Sequence, residues 1–205
     1  LRGTHQKLVD FFPELRAEPD KSSIAIKHLL YMSSGLEWDN KNDQSSVDMM
    51  YSDNWIEYVL KRNSIYKPGA KFNYSNGDAH LLSAILQKAT GETMLEFARA
   101  RLFQPLGITK VSWNVDPQGN SIGAWSLAIT LQDMAKIGLL VLKNGEWEGR
   151  SIIPKKWIKQ MLSIRVKLNF NDGTKGGYGY YWFVKQLKYG PNHDVSKPYH
   201  MFYAA

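Results

Sequence analysis

Apolar positions recur at helical spacing over most of the chain, and the period shortens to that of a strand only near the end. Leu8, Val9, Phe11 and Phe12, followed by Pro13 and Pro19, read as a short apolar anchor and an irregular link. Ile24 and Ile26 open a compact element that runs through His28, Leu29, Leu30 and Met32 to Ser33-Ser34-Gly35-Leu36. Gly35 tolerates the positive φ of a helix stop. Residues 39–52 are polar and predict a loop. Asp53 is placed to cap a helix through Leu60, with Trp55, Ile56, Val59 and Leu60 on one face, so Trp55 reads as core. A longer helix is predicted from Asp78, with Leu82, Ile85, Leu86 and Ala89 inward and a stop at Gly91. Thr93-Met94-Leu95-Glu96 is a capping box, in which the threonine serves the N3 amide and the glutamate serves the N-cap amide. The helix it opens ends near Phe103. Thr130 caps another, with Met134, Ile137, Val141 and Leu142 inward and an end at Asn144-Gly145; Pro154 opens one carrying Trp157, Ile158 and Met161. The aromatic and β-branched run from Tyr178 to Val184 then predicts a strand, with a second from Tyr199 to Tyr203. An outer edge of the Tyr178–Val184 strand is expected to be adhesive without its neighbours, because an unpaired edge templates association.

Composition narrows the class. Hydrophobic residues at 43% and aromatic residues at 13% are ample for a packed core and exclude wholesale disorder. No apolar run approaches the roughly 20 residues that a membrane span needs. No signal peptide is visible, although Leu1 is not a natural start and leaves room for a removed upstream segment. Zero cysteines exclude disulfides and thiolate chemistry. The net charge of +7 raises the question of an anionic partner. The lysines lie at loop ends and on helix faces, without arginine clustering or aromatic interleaving, so no nucleic-acid partner is expected. There is no HExxH, Walker A or dinucleotide fingerprint, and His193 and His200 lack metal-ligand spacing, so no metal or nucleotide cofactor is expected.

One stretch organises the rest: Lys67-Pro68-Gly69-Ala70-Lys71-Phe72-Asn73-Tyr74-Ser75-Asn76-Gly77. A proline–glycine turn leads into a short run that breaks at Asn76-Gly77, just before the longest predicted helix. Residues two apart in an extended run project to the same side, so the Tyr74 phenol and the Asn76 carboxamide are expected to face one cleft. In this setting the sequence resembles the serine beta-lactamase and penicillin-binding-protein superfamily, whose second motif is Tyr-x-Asn. Pro-Gly before the motif, and Leu-Leu-Ser-Ala-Ile-Leu and Thr-Gly after it, fit the resemblance. So do Ser34-Gly35-Leu36, Phe103-x-Pro105-Leu106-Gly107-Ile108 and Asp133-Met134-Ala135-Lys136. Met32 followed by Glu37-Trp38-Asp39 is closest to the branch of 6-aminohexanoate-dimer hydrolases and esterases.

The resemblance implies an α+β chain: one incomplete beta-lactamase/transpeptidase-like domain over residues 1–205. Helices would occupy about 20–170, and one or two strands of the companion antiparallel sheet would begin near 175. It implies a serine hydrolase that cleaves a small-molecule amide, ester or beta-lactam through an acyl-enzyme, in a periplasmic or extracytoplasmic setting. Tyr74 would be the general base or proton relay, and Asn76 would orient the substrate amide; Trp38 and Trp113 would wall the cleft. The nucleophile of the family belongs to a Ser-x-x-Lys motif at a helix start, with the lysine one turn on. The only match here is Ser64-Ile65-Tyr66-Lys67, and Pro68 disfavours the helical conformation that Lys67 would need. Ser64 is therefore rejected. The first motif is expected upstream of this chain and the third, a Lys/His-x-Gly strand, after Ala205, so the chain alone is expected to be inactive. The competing reading is a homologue that binds a ligand or acts as a scaffold without catalysis. His28 reads as a hydrogen-bonded helix histidine, and His200 would approach the site only if its strand carried the third motif.

Overall fold

In the computed structural model, which describes residues 1–187 and 199–204, the chain divides into two units, Leu1–Leu142 and Lys143–Ala205. The division falls well before the change of hydrophobic period near residue 175. His193 lies outside the described residues. Among those residues no helix is long and apolar enough to cross a membrane.

The first unit is helical. Its α-helices are Pro19–Ser22 (α1), Ile26–Leu30 (α2), Gln44–Met50 (α3), Trp55–Leu60 (α4), Asn76–Thr90 (α5), Met94–Ala98 (α6) and Leu131–Leu142 (α7). Helix α5 is the spine, with α2, α4 and α6 packed against it. Leu8 and Phe12 of the N-terminal anchor join Leu29, Leu36, Trp55, Val59, Leu81 and Ile85 in one core. The Thr93 capping box forms as expected: Glu96 N donates to Thr93 Oγ1 at 3.2 Å and Thr93 N donates to Glu96 Oε2 at 2.8 Å. The run continues through a π-helical turn to Phe103.

Several boundaries differ from the pattern, each for a physical reason. Helix α5 starts at Asn76 rather than Asp78, because Ser75 is the cap and its hydroxyl accepts the Asp78 amide at 3.0 Å. Its buried face is Leu81, Ala84 and Ile85 together with His80 and Ser83; Ala89 is exposed. A count of apolar residues cannot see a face that is partly polar. The cap of α4 is Asn54, not Asp53, with Glu57 N donating to Asn54 Oδ1 at 3.0 Å. Residues 39–52 contain helix α3, whose buried side is Ser45, Ser46 and Met49, too polar to register as a helical stripe. Helix α2 stops at Leu30, where Met32 takes φ +55°. Gly35 is needed further on: at φ +85° it lies against the Tyr66 carbonyl, and a Cβ there would be 2.0 Å from that oxygen. Thr130 caps α7 through the Asp133 amide at 3.1 Å, but Met134 and Leu142 are exposed; Asp133, Leu140 and Val141 are the residues buried.

The second unit holds a short hairpin, Glu146–Trp147 (β1) with Arg150–Ser151 (β2), then Lys155–Met161 (α8). Pro154 precedes α8 and Ile158 is its buried residue. An antiparallel sheet follows in the order Val166–Asn169 (β3), Lys175–Tyr178 (β4), Phe183–Leu187 (β5) and Tyr199–Tyr203 (β6). The α+β class with an antiparallel sheet is as expected, but among the described residues this sheet has four strands rather than one or two. Tyr178–Val184 is not one strand. It is the end of β4, a turn in which Gly179 N donates to Trp182 O at 2.8 Å and Tyr181 takes φ +61°, and the start of β5. Both strands are central, so the sheet's outer edges lie at β3 and β6 instead. In-register Tyr178, Phe183 and Tyr203 form an aromatic row, with ring centroids 4.7 and 5.0 Å apart.

Candidate active site

The Tyr74-Ser75-Asn76 segment is extended up to the Ser75 cap and helical from Asn76. It is held from two sides. On one side the 32–33 backbone runs beside it: Asn73 N donates to Met32 O and Gly69 N to Ser33 O, both at 2.8 Å, and Ser75 N points at Met32 Sδ, 3.4 Å away. On the other, Asn40 Nδ2 donates to the Tyr74 carbonyl at 2.5 Å, and Asn73 Nδ2 to the Trp38 carbonyl at 3.0 Å.

Asn76 contacts helix α3, and the charge at the N-terminal end of that helix acts on Tyr74. Asn76 Nδ2 donates to Ser46 Oγ on α3 at 2.9 Å. The half-buried Tyr74 phenol lies within electrostatic reach of Asp43, at the N-terminal end of α3. Its pKa is raised above the ordinary phenol value, first by burial and then by Asp43. The sign matters. A phenolate base needs positive charge nearby, and Asp43 adds negative charge instead.

Trp38 is 4% exposed and lies beneath the motif rather than at an open wall. Its ring presses on α5 at Gly77, where a Cβ would be 2.5 Å from the indole. Gly77 thus stands inside the helix to admit Trp38, not in a turn before it. Trp113 is half-buried and donates its Nε1–H to Ile122 O at 2.7 Å. The loop that carries it is closed by Ser112–Ala128 and Val115–Ser121 bridges. It docks on α5 through Ser83 Oγ to Ser121 O at 2.6 Å and Gly123 N to His80 Nδ1 at 3.3 Å.

That docking rests on a buried pair absent from the sequence reading. His80 Nε2 lies 2.9 Å from Asp116 Oδ2, both side chains wholly buried. Since Nδ1 accepts the Gly123 amide, Nε2 carries the proton and donates to Asp116. Asp116 also accepts from the Gln118 and Asn120 amides and from Asn120 Nδ2, at 2.8–2.9 Å. Burial alone would raise its pKa; the bonds from His80 and Asn120 outweigh burial and hold it below the usual carboxylate range.

Ser64 sits in an extended bridge with Leu36, and its hydroxyl donates to Tyr66 O at 3.4 Å, so Lys67 is not one helical turn away. His28 is a capping group: its Nδ1 accepts the Ala25 amide at 3.0 Å. Burial, then Lys27 and His5, lower its pKa to about 4 from 6.5. A folded-state value below the unfolded one gives stability that is present above about pH 6.5 and lost as pH falls through 4. With its ring only half-buried, the contribution is about 1–2 kcal/mol after allowance for solvent screening. Urea midpoints at pH 7 and 4.5 should therefore fall more for the wild type than for His28→Asn, which keeps an acceptor but cannot titrate. Equal falls would remove His28 as the cause.

A profile of the beta-lactamase family matches residues 4–201, so the chain belongs to that family. It is 29% identical over 98 residues to the "Putative D-alanyl-D-alanine carboxypeptidase" of Escherichia coli strain K12, a match covering 46% of this chain and 23% of that protein. Its fold is that of the "Putative 6-aminohexanoate-dimer hydrolase from Bacillus anthracis", at TM-score 0.73 and 18% identity, over 98% of this chain and 60% of that one. EstCE1, described as a hydrolase with promiscuous acyltransferase activity, aligns at TM-score 0.71 and 16% identity, over 91% of this chain and 63% of its own. The match spans about a quarter of the curated relative and three-fifths of the solved hydrolases.

Proposed function

We propose that these residues carry the Tyr-x-Asn part of a serine hydrolase that cleaves an amide or ester bond through an acyl-enzyme. The observation that carries this reading is the Tyr74-Ser75-Asn76 segment at the capped start of α5, with Asn76 bonded to Ser46, in a chain of the beta-lactamase family. In this reading Tyr74 passes a proton between the nucleophile and the leaving group, and Asn76 offers its carboxamide to the substrate amide. The serine is not Ser64; it comes from sequence outside these 205 residues, together with the cations that the phenol needs to act as a base. Trp38 backs the motif through Gly77. A periplasmic or extracytoplasmic setting goes with this reading.

The Asp43 carboxylate beside Tyr74 favours a second reading, a homologue that binds a ligand without catalysis. One experiment separates them. The full-length protein, incubated with a fluorescent penicillin and in parallel with a fluorophosphonate, should acquire a covalent label from at least one, on a serine outside residues 1–205. No label from either probe would favour the binding protein, and label on Ser64 would overturn the assignment of the nucleophile.

A further inference from the structure

Asn76 is not left to swing. It stands half-buried in the first turn of α5, and its Nδ2 donates to Ser46 Oγ at 2.9 Å. Ser46 is 5% exposed and belongs to a helix that is itself fixed: Met49 lies wholly buried in the core, and Ser45 Oγ accepts the Asp39 amide at 2.8 Å. Two further carboxamides tie the approach to α3 to the motif strand. Asn40 Nδ2 donates to the Tyr74 carbonyl and, at 3.4 Å, to Asn73 Oδ1, while Asn73 Nδ2 donates to the Trp38 carbonyl. Among the described residues no donor reaches Asn76 Oδ1. We propose that Ser46 is a positioning residue that sets the specificity of the site. It holds the nitrogen end of Asn76 on α3, so that Asn76 meets the substrate with its oxygen and selects one that supplies an N–H in its acyl part.

The chemistry follows from the asymmetry of a carboxamide, which donates at one end and accepts at the other. The last torsion of an asparagine is broad and nearly two-fold, so an untethered side chain can show a ligand either end. The bond to Ser46 takes up the nitrogen, and because the Ser46 hydroxyl is buried, leaving that bond unmade is costly. Ser46 cannot follow the carboxamide if it turns over, since α3 is anchored through Met49. What faces away from α3 is then an acceptor. A secondary amide N–H satisfies it, whereas an ester oxygen in the same place sets lone pair against lone pair. Holding the side chain in advance also spares the cost of ordering it on binding.

This role for Ser46 rests on the reading of Asn76 as a substrate-binding group. The test compares two esters with the same reacting bond, p-nitrophenyl N-acetylglycinate and p-nitrophenyl O-acetylglycolate, which differ by N–H against O. On the full-length protein, with each rate taken relative to uncatalysed hydrolysis, the first should be favoured about tenfold in kcat/KM, the worth of one hydrogen bond. In Ser46→Ala the ratio should fall to near unity, and Ser46→Thr, which keeps the hydroxyl, should hold it. A merely structural role would lower both rates and leave their ratio alone. In parallel, the Asn76 Nδ2 proton resonances, identified by their loss in Asn76→Ala, should move upfield in Ser46→Ala. A wild-type ratio at or below unity, a ratio unchanged in Ser46→Ala, or Asn76 resonances unmoved by that substitution overturns the proposal. Should neither covalent probe label the protein, the ratio is read from the dissociation constants of the same two esters. A preference that persists there would sink the catalytic reading alone and leave Ser46 as the residue that orients Asn76 in a binding site.

Discussion

Asp116→Ala should lower the stability of the first unit by about 2–3 kcal/mol, the range for losing buried hydrogen bonds to a charged acceptor. Four donors converge on this carboxylate, and the buried His80 Nε2–H has no water to turn to once it is gone. His80 keeps its place only while Nε2–H has an acceptor. Without it the Gly123 contact and the docking of the 112–128 loop loosen together. Trp55 is the natural reporter, because its ring lies 5.3 Å from His80 and 5.8 Å from Trp125. Urea unfolding followed by tryptophan fluorescence should show the loss, with Asp116→Asn falling between alanine and wild type. The depressed pKa adds a pH signature. Its contribution is present above the unfolded value of 3.8 and lost as pH falls below it, so the mutational difference should narrow in strong acid. A loss under about 1 kcal/mol at pH 7 would mean that the loop docks through its other contacts.

What the sequence shows and hides follows from the same chemistry. Helices with apolar stripes or caps are legible: Trp55 and Val59 on α4, the Thr93 box, and the Gly91 stop, which takes φ +75°. The motif is legible too, because its flanks carry the resemblance. Helix α3 is not, since its buried face is two serines and a methionine, and Ser46 meets Asn76 only after folding. Nor is the pairing of His80 with Asp116, which lie 36 residues apart with no local pattern to join them. Asp78 reads as an ordinary first-turn acid that suits a helix start. Only packing shows that it is dry. Tyr178–Val184 misled because its aromatics suit a strand, whereas Gly179 and the positive φ of Tyr181 make a turn.

With the proposed proton-relay role, Tyr74→Phe in the full-length protein should lower kcat by roughly 10²–10⁴, the range for loss of a positioned proton-transfer group. The argument depends on what the hydroxyl can do where it stands. Burial and Asp43 both push its pKa above 10, so in the field described here it is a neutral phenol and a poor base at pH 7. It can act in catalysis only if cations near the nucleophile reverse that field, or if it relays a proton without ionising. Either way the proposed role needs the oxygen and not the ring. The ring of Phe fills the same half-buried space, so stability should change by less than about 1 kcal/mol. Asn76→Ala differs: it also removes the bond to Ser46 Oγ, and should impair binding and acylation together. Steady-state kinetics on whichever substrate class labels the protein, with urea unfolding alongside, separates the outcomes. A folded Tyr74→Phe that keeps near-wild-type kcat would assign Tyr74 to packing, and would leave Asn76 and α3 as a binding site without its proton relay.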